Sequence, residues 1–390
     1  MKAWTELIAR LDAAGLRRRL APLRSSSGPW VERDGRRLLN LASNDYLGLA
    51  ADPRLAAAAA AALTRWGTGA GGSRLLGGDR EIHGRLEAEL AELKGTEAAL
   101  LHTSGYAANV GLIPALCGRG DHVFSDRLNH ASLIDGIRLS GAQAHVFRHR
   151  DPGHLEELLL KAPAHGQRVV VSDAVFSMDG VVAPLAALVE VSERHGALLV
   201  VDDAHGTGVA GPEGRGTVQH LGLGGRVPVQ MATLSKAFGV QGGFVAGSQV
   251  LVEVLIHRSR SFVYSTGMAP ALAAAALEAV RLARSEEWRR ERLRRHLDRL
   301  VEGLKAKGYR VVHEPPAPML VVMVGEAAPA LDLARRLEAA GVLAPAIRPP
   351  TVPEGTSRLR LAPMATHSDA DVDLALEAFP PFEELPGGSP

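Results

Sequence analysis

Residues 227–239 read VPVQMATLSKAFG, in which an apolar run precedes a group of small and hydroxyl-bearing residues around Lys236. A short, nearly continuous apolar run predicts a strand buried on both faces of a parallel sheet. Active sites in such sheets lie beyond the carboxyl ends of the strands. A lone Ser-Lys pair is more often part of a solvated loop. The functional interpretation of Lys236 therefore depends on the rest of the chain.

Other stretches repeat this pattern of apolar strand and following helix. Helical patterns separate most of the apolar runs, as expected for an α/β fold whose mostly parallel sheet is covered on both faces. We predict a seven-stranded sheet flanked by helices, with strands at 98–102, 122–125, 144–147, 168–173, 197–202, 229–233 and 243–246.

The organisation of the chain changes near both ends. We predict an N-terminal helix and short strand in residues 1–42, a large domain in 43–285 and a smaller α+β domain in 286–390. The last division rests on short strands and helices that follow Gly308, after long helical patterns in 270–306.

Composition narrows the class of protein. The chain has 390 residues, 46% of them hydrophobic and 22% charged, as in ordinary soluble globular proteins. The net charge of +1 suggests neither a nucleic-acid nor a membrane partner. A single cysteine, Cys117, excludes an intrachain disulfide and a cysteine-cluster metal site. Since no 18-residue apolar run is free of charge, we expect no transmembrane helix and a cytoplasmic location.

Asp202 ends one of the predicted buried strands. A buried carboxylate is costly without a cationic partner, and the protonated pyridine nitrogen of pyridoxal phosphate (PLP) is such a partner. Lysine amines such as that of Lys236 form Schiff bases with aldehydes, including that of PLP. His205 could bond the phenolate oxygen of PLP. The alternative, a metal bound by Asp202, Asp203 and His205, lacks a second ligand cluster, so we expect no metal.

Further candidates lie at other strand ends and helix starts. Gly105 and Tyr106 begin a predicted helix, whose N–H groups would bind phosphate, and the hydroxyl of Thr233 could do the same. His130 could lie flat on a pyridine ring, and Ser177 could donate to the phenolate oxygen. Each has a structural alternative, as a helix cap, a core histidine or a turn residue.

Five motifs together closely resemble the α-oxoamine synthases, which are fold-type I PLP enzymes. They are SNDYLGL (43–49), NHASL (129–133), VFSMDG (175–180), VDDAHGTGV (201–209) and TLSKAFG (233–239). The resemblance spans about residues 15–378. It implies a fold-type I transferase with PLP as cofactor, and a homodimer that shares its active sites, with the glycine-rich loop 67–73 at the contact.

The resemblance also implies a role for each site residue. Lys236 carries the cofactor, Asp202 pairs with its pyridine nitrogen and His130 stacks on its ring; these three are the expected catalytic residues. The expected cofactor-binding set is Gly105, Tyr106, His130, Ser177, Asp202, His205, Thr233 and Lys236, and the expected substrate-binding set is Arg17, Asn44, His130, Thr351 and Arg360.

Residues 346–353, AIRPPTVP, favour one branch of this family. That branch joins L-alanine to pimeloyl-CoA, or to the pimeloyl carrier-protein thioester, with loss of CO2, in biotin synthesis. The nearest alternative is glycine C-acetyltransferase, which uses glycine and acetyl-CoA. A non-catalytic subunit of a related synthase is an alternative of another class, and it should lack Lys236 or Asp202.

Overall fold

The computed structural model describes residues 2–13, 16–18, 20–163 and 165–385. Helices and strands alternate along most of the chain. The helices are α1 Lys2–Ala13, α2 Pro53–Trp66, α3 Glu81–Lys94, α4 Gly105–Leu116, α5 Ala131–Ser140, α6 Pro152–Lys161, α7 Leu185–Arg194, α8 Thr217–His220, α9 Gln249–Arg258, α10 Arg260–Val263, α11 Pro270–Ser285, α12 Glu287–Ala306, α13 Ala327–Ala339 and α14 Asp369–Ala378.

The strands divide among one large sheet and three small ones. They are β1 Trp30–Arg33, β2 Arg36–Asn40, β3 Ala98–His102, β4 His122–Asp126, β5 Gln143–Phe147, β6 Arg168–Asp173, β7 Val175–Phe176, β8 Val181–Val182, β9 Leu198–Asp202, β10 Val229–Thr233, β11 Gly243–Gly247, β12 Arg310–Val312, β13 Leu320–Gly325, β14 Val342–Leu343, β15 Ala346–Ile347 and β16 Ser357–Leu361.

The large sheet has the seven strands that the sequence predicts. Their order is β3-β11-β10-β9-β6-β4-β5. Neighbours run parallel except at β11, which is antiparallel to both β3 and β10. Every residue of β4, β10 and β11 is buried, as expected for strands covered by helices on both faces, although His122, Ser125 and Gln230 interrupt the apolar runs. The prediction of a mostly parallel α/β sheet is confirmed.

Helices cover both faces of this sheet. On one face, Leu112 and Ile113 of α4 and Leu133 of α5 pack against inward side chains of the strands. On the other, Leu155 of α6 and Leu188 of α7 form a second buried cluster. These two buried layers cover the central strands, whereas most of the edge strand β5 is exposed.

Two segments far apart in the sequence pair in a small sheet. A hairpin of β1 and β2, rather than the single strand predicted for 1–42, pairs with β14 from the C-terminal third. The C-terminal third also holds an antiparallel sheet ordered β12-β13-β16-β15. The division at residues 42 and 285 stays a prediction, and residues 386–390 of its last segment lie outside the described residues.

The carboxyl ends of three parallel strands converge at one edge of the large sheet. Asp173 of β6 is in register with Asp202 of β9, and Met231 of β10 lies opposite Asp202 on the other side. Thr233 ends β10 just beyond Met231. Strand register alone therefore places the predicted site residues of different segments side by side.

A buried ion pair holds the turn that follows β9. Lys94 Nζ lies 3.0 Å from Asp203 Oδ2, and it also donates to Thr207 Oγ1 (3.2 Å) and to the carbonyl oxygen of Arg215 (2.7 Å). Both charged side chains are fully buried. Since neighbouring strand residues point to opposite faces, this pair draws Asp203 away from Asp202.

Among the described residues, no helix combines the length and the apolar character needed to cross a membrane.

Removing one member of the buried Lys94–Asp203 ion pair should destabilise the protein strongly. Lys94→Met leaves Asp203 buried without its cation, and breaking such a pair costs about 3–5 kcal/mol. The matched control is Lys161→Met, because the Lys161 side chain is exposed and should change the unfolding free energy by less than about 1 kcal/mol. Urea unfolding followed by circular dichroism measures both. Equal losses in the two variants would contradict a structural role for the Lys94–Asp203 pair.

Candidate functional site

A cavity of about 230 Å³ opens at the carboxyl ends of β6, β9 and β10. All eight residues of the predicted cofactor-binding set line it, although they come from widely separated segments. The lining residues are Ser104, Gly105, Tyr106, His130, Ser132, Asp173, Val175, Ser177, Asp202, Ala204, His205, Met231, Thr233, Ser235 and Lys236.

Lys236 lies in this cavity, three residues beyond the end of β10. Its Nζ is 2.8 Å from His205 Nε2. Burial lowers the pKa of Lys236 to about 8, while the Asp202 and Asp173 carboxylates oppose that shift and Arg360 adds to it. An amine with this pKa is readily available in its neutral form, which is the form that attacks an aldehyde or removes a proton.

Asp202 and Asp173 place two buried carboxyl groups at adjacent strand ends. Asp202 accepts hydrogen bonds from Asn109 Nδ2 (2.8 Å) and from the Ala204 N–H (3.0 Å), and Asp173 Oδ2 accepts from the His130 N–H (2.7 Å). Burial raises the pKa of both carboxyl groups, and the Asp202 carboxylate raises that of Asp173 further. A cation in the cavity would relieve this cost, so a pyridinium nitrogen fits here.

The start of α4 provides a place for a phosphate. Gly105 and Tyr106 form its first turn, whose N–H groups have no partner within the helix. A Cβ on Gly105 would lie 3.3 Å from Thr233 Cβ, and one on Gly243 would lie 2.5 Å from the Gly105 nitrogen. These glycines allow the start of α4 to lie close to the ends of β10 and β11, and the space beside this helix start is called the phosphate cradle.

Two hydroxyl groups beside this cradle are already hydrogen-bonded. Thr233 Oγ1 donates to the Gly242 carbonyl oxygen (2.8 Å), and Ser235 Oγ donates to the same oxygen (3.1 Å). Either hydroxyl could donate to a phosphate only by giving up that bond. With the helix start, the carboxyl of Asp202 and the amine of Lys236, the cavity nevertheless offers one suitable group for each polar part of PLP.

His130 caps the start of α5 and exposes its ring to the cavity. Its Nδ1 lies 2.7 Å from Ser132 Oγ, and its backbone is held by the bond to Asp173 described above. Burial lowers the pKa of His130, although Asp202 opposes the shift. A neutral ring with one edge anchored can present its face to a ligand ring, as the predicted stacking requires.

Arg360 and Asn44 lie behind the cavity and contact each other. Arg360 Nη2 donates to Asn44 Oδ1 (2.9 Å) and Arg360 Nε donates to the Ser177 carbonyl oxygen (2.7 Å). The guanidinium is thus oriented from two sides by groups far apart in sequence. A guanidinium held in this way suits a substrate carboxylate.

The structure separates Arg17 and Thr351 from this cavity. Arg17 pairs with Asp12 at 2.5 Å, and Arg18 Nη2, not Arg17, donates to Thr351 Oγ1 (3.2 Å). Thr351 and Arg18 line a second cavity of about 270 Å³. The predicted acyl-substrate role of Arg17 and Thr351 stays a prediction.

The alternative metal site would need Asp203 beside Asp202 and His205, but the Asp203 carboxylate is bound by Lys94 instead. Within residues 2–13, 16–18, 20–163 and 165–385, no group of three histidine, cysteine or acidic side chains could hold a metal ion.

The sequence reasoning assigned no role to three residues that shape the site, Asn109, Asp173 and Tyr46, although it placed Asp173 at a strand end on the shared edge. Asn109 was detectable as a lone amide on the apolar helix α4, and Asp173 as a carboxylate at a strand end. Tyr46 lies in the SNDYLGL motif with no role assigned, and its hydroxyl is 2.7 Å from His205 Nδ1. Nothing in the sequence near residue 46 indicates this contact, because its partner lies 159 residues away.

Comparison with known proteins identifies relatives along nearly the whole chain. Residues 36–379 match the family of aminotransferases of class I and II. The chain is 50% identical to the 8-amino-7-oxononanoate synthase of Anaeromyxobacter dehalogenans (strain 2CP-1 / ATCC BAA-258) over 381 residues, which cover 97% of this chain and 95% of that protein. It is 48% identical to the enzyme of the same name from Geobacter sulfurreducens over 374 residues, 95% of each chain.

Solved structures share the fold. Serine palmitoyltransferase from S. paucimobilis, with PLP and myriocin bound, has a TM-score of 0.92 and 31% identity, covering 97% of this chain and 96% of that one. The 8-amino-7-oxononanoate synthase from Francisella tularensis has a TM-score of 0.76 and 26% identity, covering 87% and 96%. Backbone shape is shared by relatives with different substrates, so the 50% sequence identity is the better guide to the reaction.

The low pKa of Lys236 predicts how the cofactor-free protein takes up PLP. Only the neutral amine attacks the aldehyde, so the capture rate should rise with pH through a midpoint near pH 8 and level off at higher pH. Because the Arg360 charge lowers the pKa of Lys236, Arg360→Gln should move the midpoint to higher pH. Stopped-flow absorbance measures the rate, with Arg299→Gln as a control at a half-buried site outside the cavity, where the guanidinium pairs with Asp369 and Asp373. A midpoint that stays in place in Arg360→Gln would contradict the electrostatic coupling.

Proposed function

The chain belongs to the aminotransferases of class I and II, and within that family we propose that it condenses L-alanine with a pimeloyl thioester to give 8-amino-7-oxononanoate, the thiol and CO2, a step of biotin synthesis. It is a PLP-dependent acyltransferase. One observation carries the assignment: a chain 50% identical to an 8-amino-7-oxononanoate synthase holds both Lys236 and Asp202 in a single cavity at the strand ends.

PLP, when bound, supplies an electron-withdrawing pyridinium ring that stabilises negative charge on the α-carbon of the amino acid. Asp202 keeps the proton on the pyridine nitrogen, because a buried carboxylate favours a cation beside it. Asn109 and the Ala204 N–H hold that carboxylate in place. The protein thus maintains the charge state that the chemistry needs.

Lys236 removes the α-proton of the amino acid. Its lowered pKa makes the neutral amine accessible near neutral pH, as a general base requires. Arg360 binds the amino acid carboxylate until that carboxylate leaves as CO2. His130 is placed to hydrogen-bond the oxygen of the acyl group as the thiol leaves. These roles of Lys236, Arg360 and His130 are proposals supported by their positions in and behind the cavity.

We also propose that the protein forms a symmetric dimer whose subunits share the sites. Exposed apolar side chains lie close to the glycine-rich loop 67–73, namely Leu75, Leu76 and Tyr264. Gly267 N–H donates to the Gly72 carbonyl oxygen, so the loop and the segment after Tyr264 are one surface. A second copy would cover this apolar surface. The cytoplasmic location stays a prediction.

Thiol release tests the proposed reaction. PLP-loaded protein should release CoA quickly from pimeloyl-CoA with L-alanine and slowly from acetyl-CoA with glycine. Lys236→Ala should lose turnover and the absorbance of the lysine-bound cofactor, whereas Lys161→Ala should retain both. Fast release only with glycine and acetyl-CoA would assign glycine C-acetyltransferase instead. No release with either pair, or with L-alanine and the pimeloyl carrier-protein thioester, would favour the non-catalytic subunit.

Arg360→Lys tests the carboxylate-binding role. The lysine keeps the charge but loses the paired N–H groups of guanidinium. A charge-assisted hydrogen bond contributes about 1.5–3 kcal/mol, so KM for L-alanine should rise roughly 10- to 100-fold while KM for pimeloyl-CoA changes little. Steady-state kinetics with each substrate varied in turn measures both, and Arg299→Lys is the control. Equal increases in the two KM values would contradict a specific role toward the amino acid.

A further inference from the structure

The hydroxyl of Tyr46 joins the two halves of the site. Its ring is fully buried, and Oη lies 2.7 Å from His205 Nδ1, 3.0 Å from Asn44 Oδ1 and 3.1 Å from Arg360 Nη2. The other ring nitrogen of His205 faces Lys236 Nζ. A continuous chain of hydrogen bonds therefore connects Arg360 to Lys236 through Tyr46 and His205.

Counting protons along this chain leaves two arrangements. Arg360 only donates, so it gives hydrogen bonds to both Asn44 Oδ1 and Tyr46 Oη. The one hydroxyl proton of Tyr46 can go either to Asn44 Oδ1 or to His205 Nδ1. The choice depends on which nitrogen of His205 is protonated. If Nδ1 carries the proton, the Tyr46 hydroxyl accepts a hydrogen bond from Nδ1 and donates one to Asn44 Oδ1. If Nε2 carries the proton, the Tyr46 hydroxyl donates a hydrogen bond to Nδ1.

Without the cofactor, the charge on Lys236 determines which nitrogen of His205 carries the proton. Burial lowers the pKa of His205 well below its ordinary value, so the ring is neutral and carries one proton. At pH 7, below the pKa of about 8 for Lys236, the lysine is an ammonium group that must donate to Nε2. The proton of His205 then lies on Nδ1, and each polar contact of Tyr46 pairs a donor with an acceptor.

When PLP is bound, Nε2 of His205 must donate a hydrogen bond instead of accepting one. In PLP the phenolic oxygen is on the ring carbon next to the one that bears the aldehyde, so a group that touches Lys236 Nζ is also close to that oxygen. A phenolate oxygen accepts hydrogen bonds, whereas the lysine ammonium donates them. His205 must then donate from Nε2, which leaves Nδ1 as an acceptor.

We propose that Tyr46 is a positioning residue that anchors His205 at Nδ1 and lets its proton move from Nδ1 to Nε2 when PLP binds. A hydroxyl is suited to this task because it can accept from Nδ1 in one state and donate to it in the other. In the loaded state Tyr46 no longer donates to Asn44, which leaves Asn44 Oδ1 to Arg360 alone. Cofactor binding is thereby linked to the group that receives the amino acid carboxylate.

The test is the protonation of each His205 nitrogen, read by NMR on the full-length protein labelled with ¹⁵N-histidine. PLP is removed and then restored, and the His205 signals are identified by their absence in His205→Asn. At pH 7 the far-downfield nitrogen resonance of an unprotonated ring nitrogen should belong to Nε2 without PLP and to Nδ1 with PLP. The same unprotonated nitrogen in both states of the wild-type protein would overturn the proposal, whether or not any variant folds.

Tyr46→Phe separates positioning from packing, because it keeps the buried ring. Without the hydroxyl acceptor, the hydrogen-bonded Nδ1 proton seen without PLP should disappear through exchange with solvent, while Lys236 still keeps Nε2 unprotonated. Tyr309→Phe is the matched control: its hydroxyl donates to the Pro380 carbonyl oxygen (2.8 Å), away from the cavity, and His205 should keep its wild-type signals. Wild-type His205 signals in Tyr46→Phe would overturn the anchoring role.

This inference rests on the PLP cofactor of the proposed function but not on the acyl donor. No thioester enters the NMR experiment, so a failure of CoA release leaves its outcome untouched. Conversely, a fixed His205 proton would overturn the role of Tyr46 and leave the proposed reaction standing.

Discussion

Two carboxyl groups at adjacent strand ends impose the main physical constraint on this protein. Asp173 and Asp202 are buried in register on neighbouring parallel strands, where an ionised carboxylate is costly without donors or a cation. Asn109, the Ala204 N–H and the His130 N–H each supply a hydrogen bond to one of them. Those donors place α4 and α5 around the cavity, and the Lys236 ammonium within it opposes the rise in pKa that burial causes in both carboxyl groups.

The buried Lys94–Asp203 ion pair keeps a third carboxylate out of the cavity. Asp203 follows Asp202 directly, and a third carboxylate in the cavity would compete for the same cation. Lys94 binds Asp203 on the opposite side of the strand and also holds Thr207 and the carbonyl oxygen of Arg215. Lys94 thus holds the side of the turn after β9 that faces away from the cavity, while His205 on the same turn contacts Lys236.

The part of the site around Arg360, where we propose that the amino acid carboxylate binds, is assembled from distant segments of the chain. Arg360 comes from an antiparallel sheet in the C-terminal third, yet it bonds the Ser177 carbonyl oxygen and Asn44. Tyr46 then connects this guanidinium to the imidazole of His205. Because the donors and acceptors of this network are buried, each proton position depends on its neighbours, and this dependence underlies the proposed link between Lys236 and Arg360.

The amino-acid sequence by itself determined the seven strands of the large sheet, because short, mostly apolar segments between helical patterns are typical of a parallel sheet covered on both faces. It also determined where Lys236 and Asp202 would lie, because parallel strands bring their carboxyl ends to one edge. Only the tertiary structure decided that Asp203 turns to Lys94, that Thr351 meets Arg18 rather than Arg17, and that Tyr46 bridges His205 and Arg360. Such side-chain contacts join residues up to 333 positions apart, and no local pattern of hydrophobicity or spacing records them.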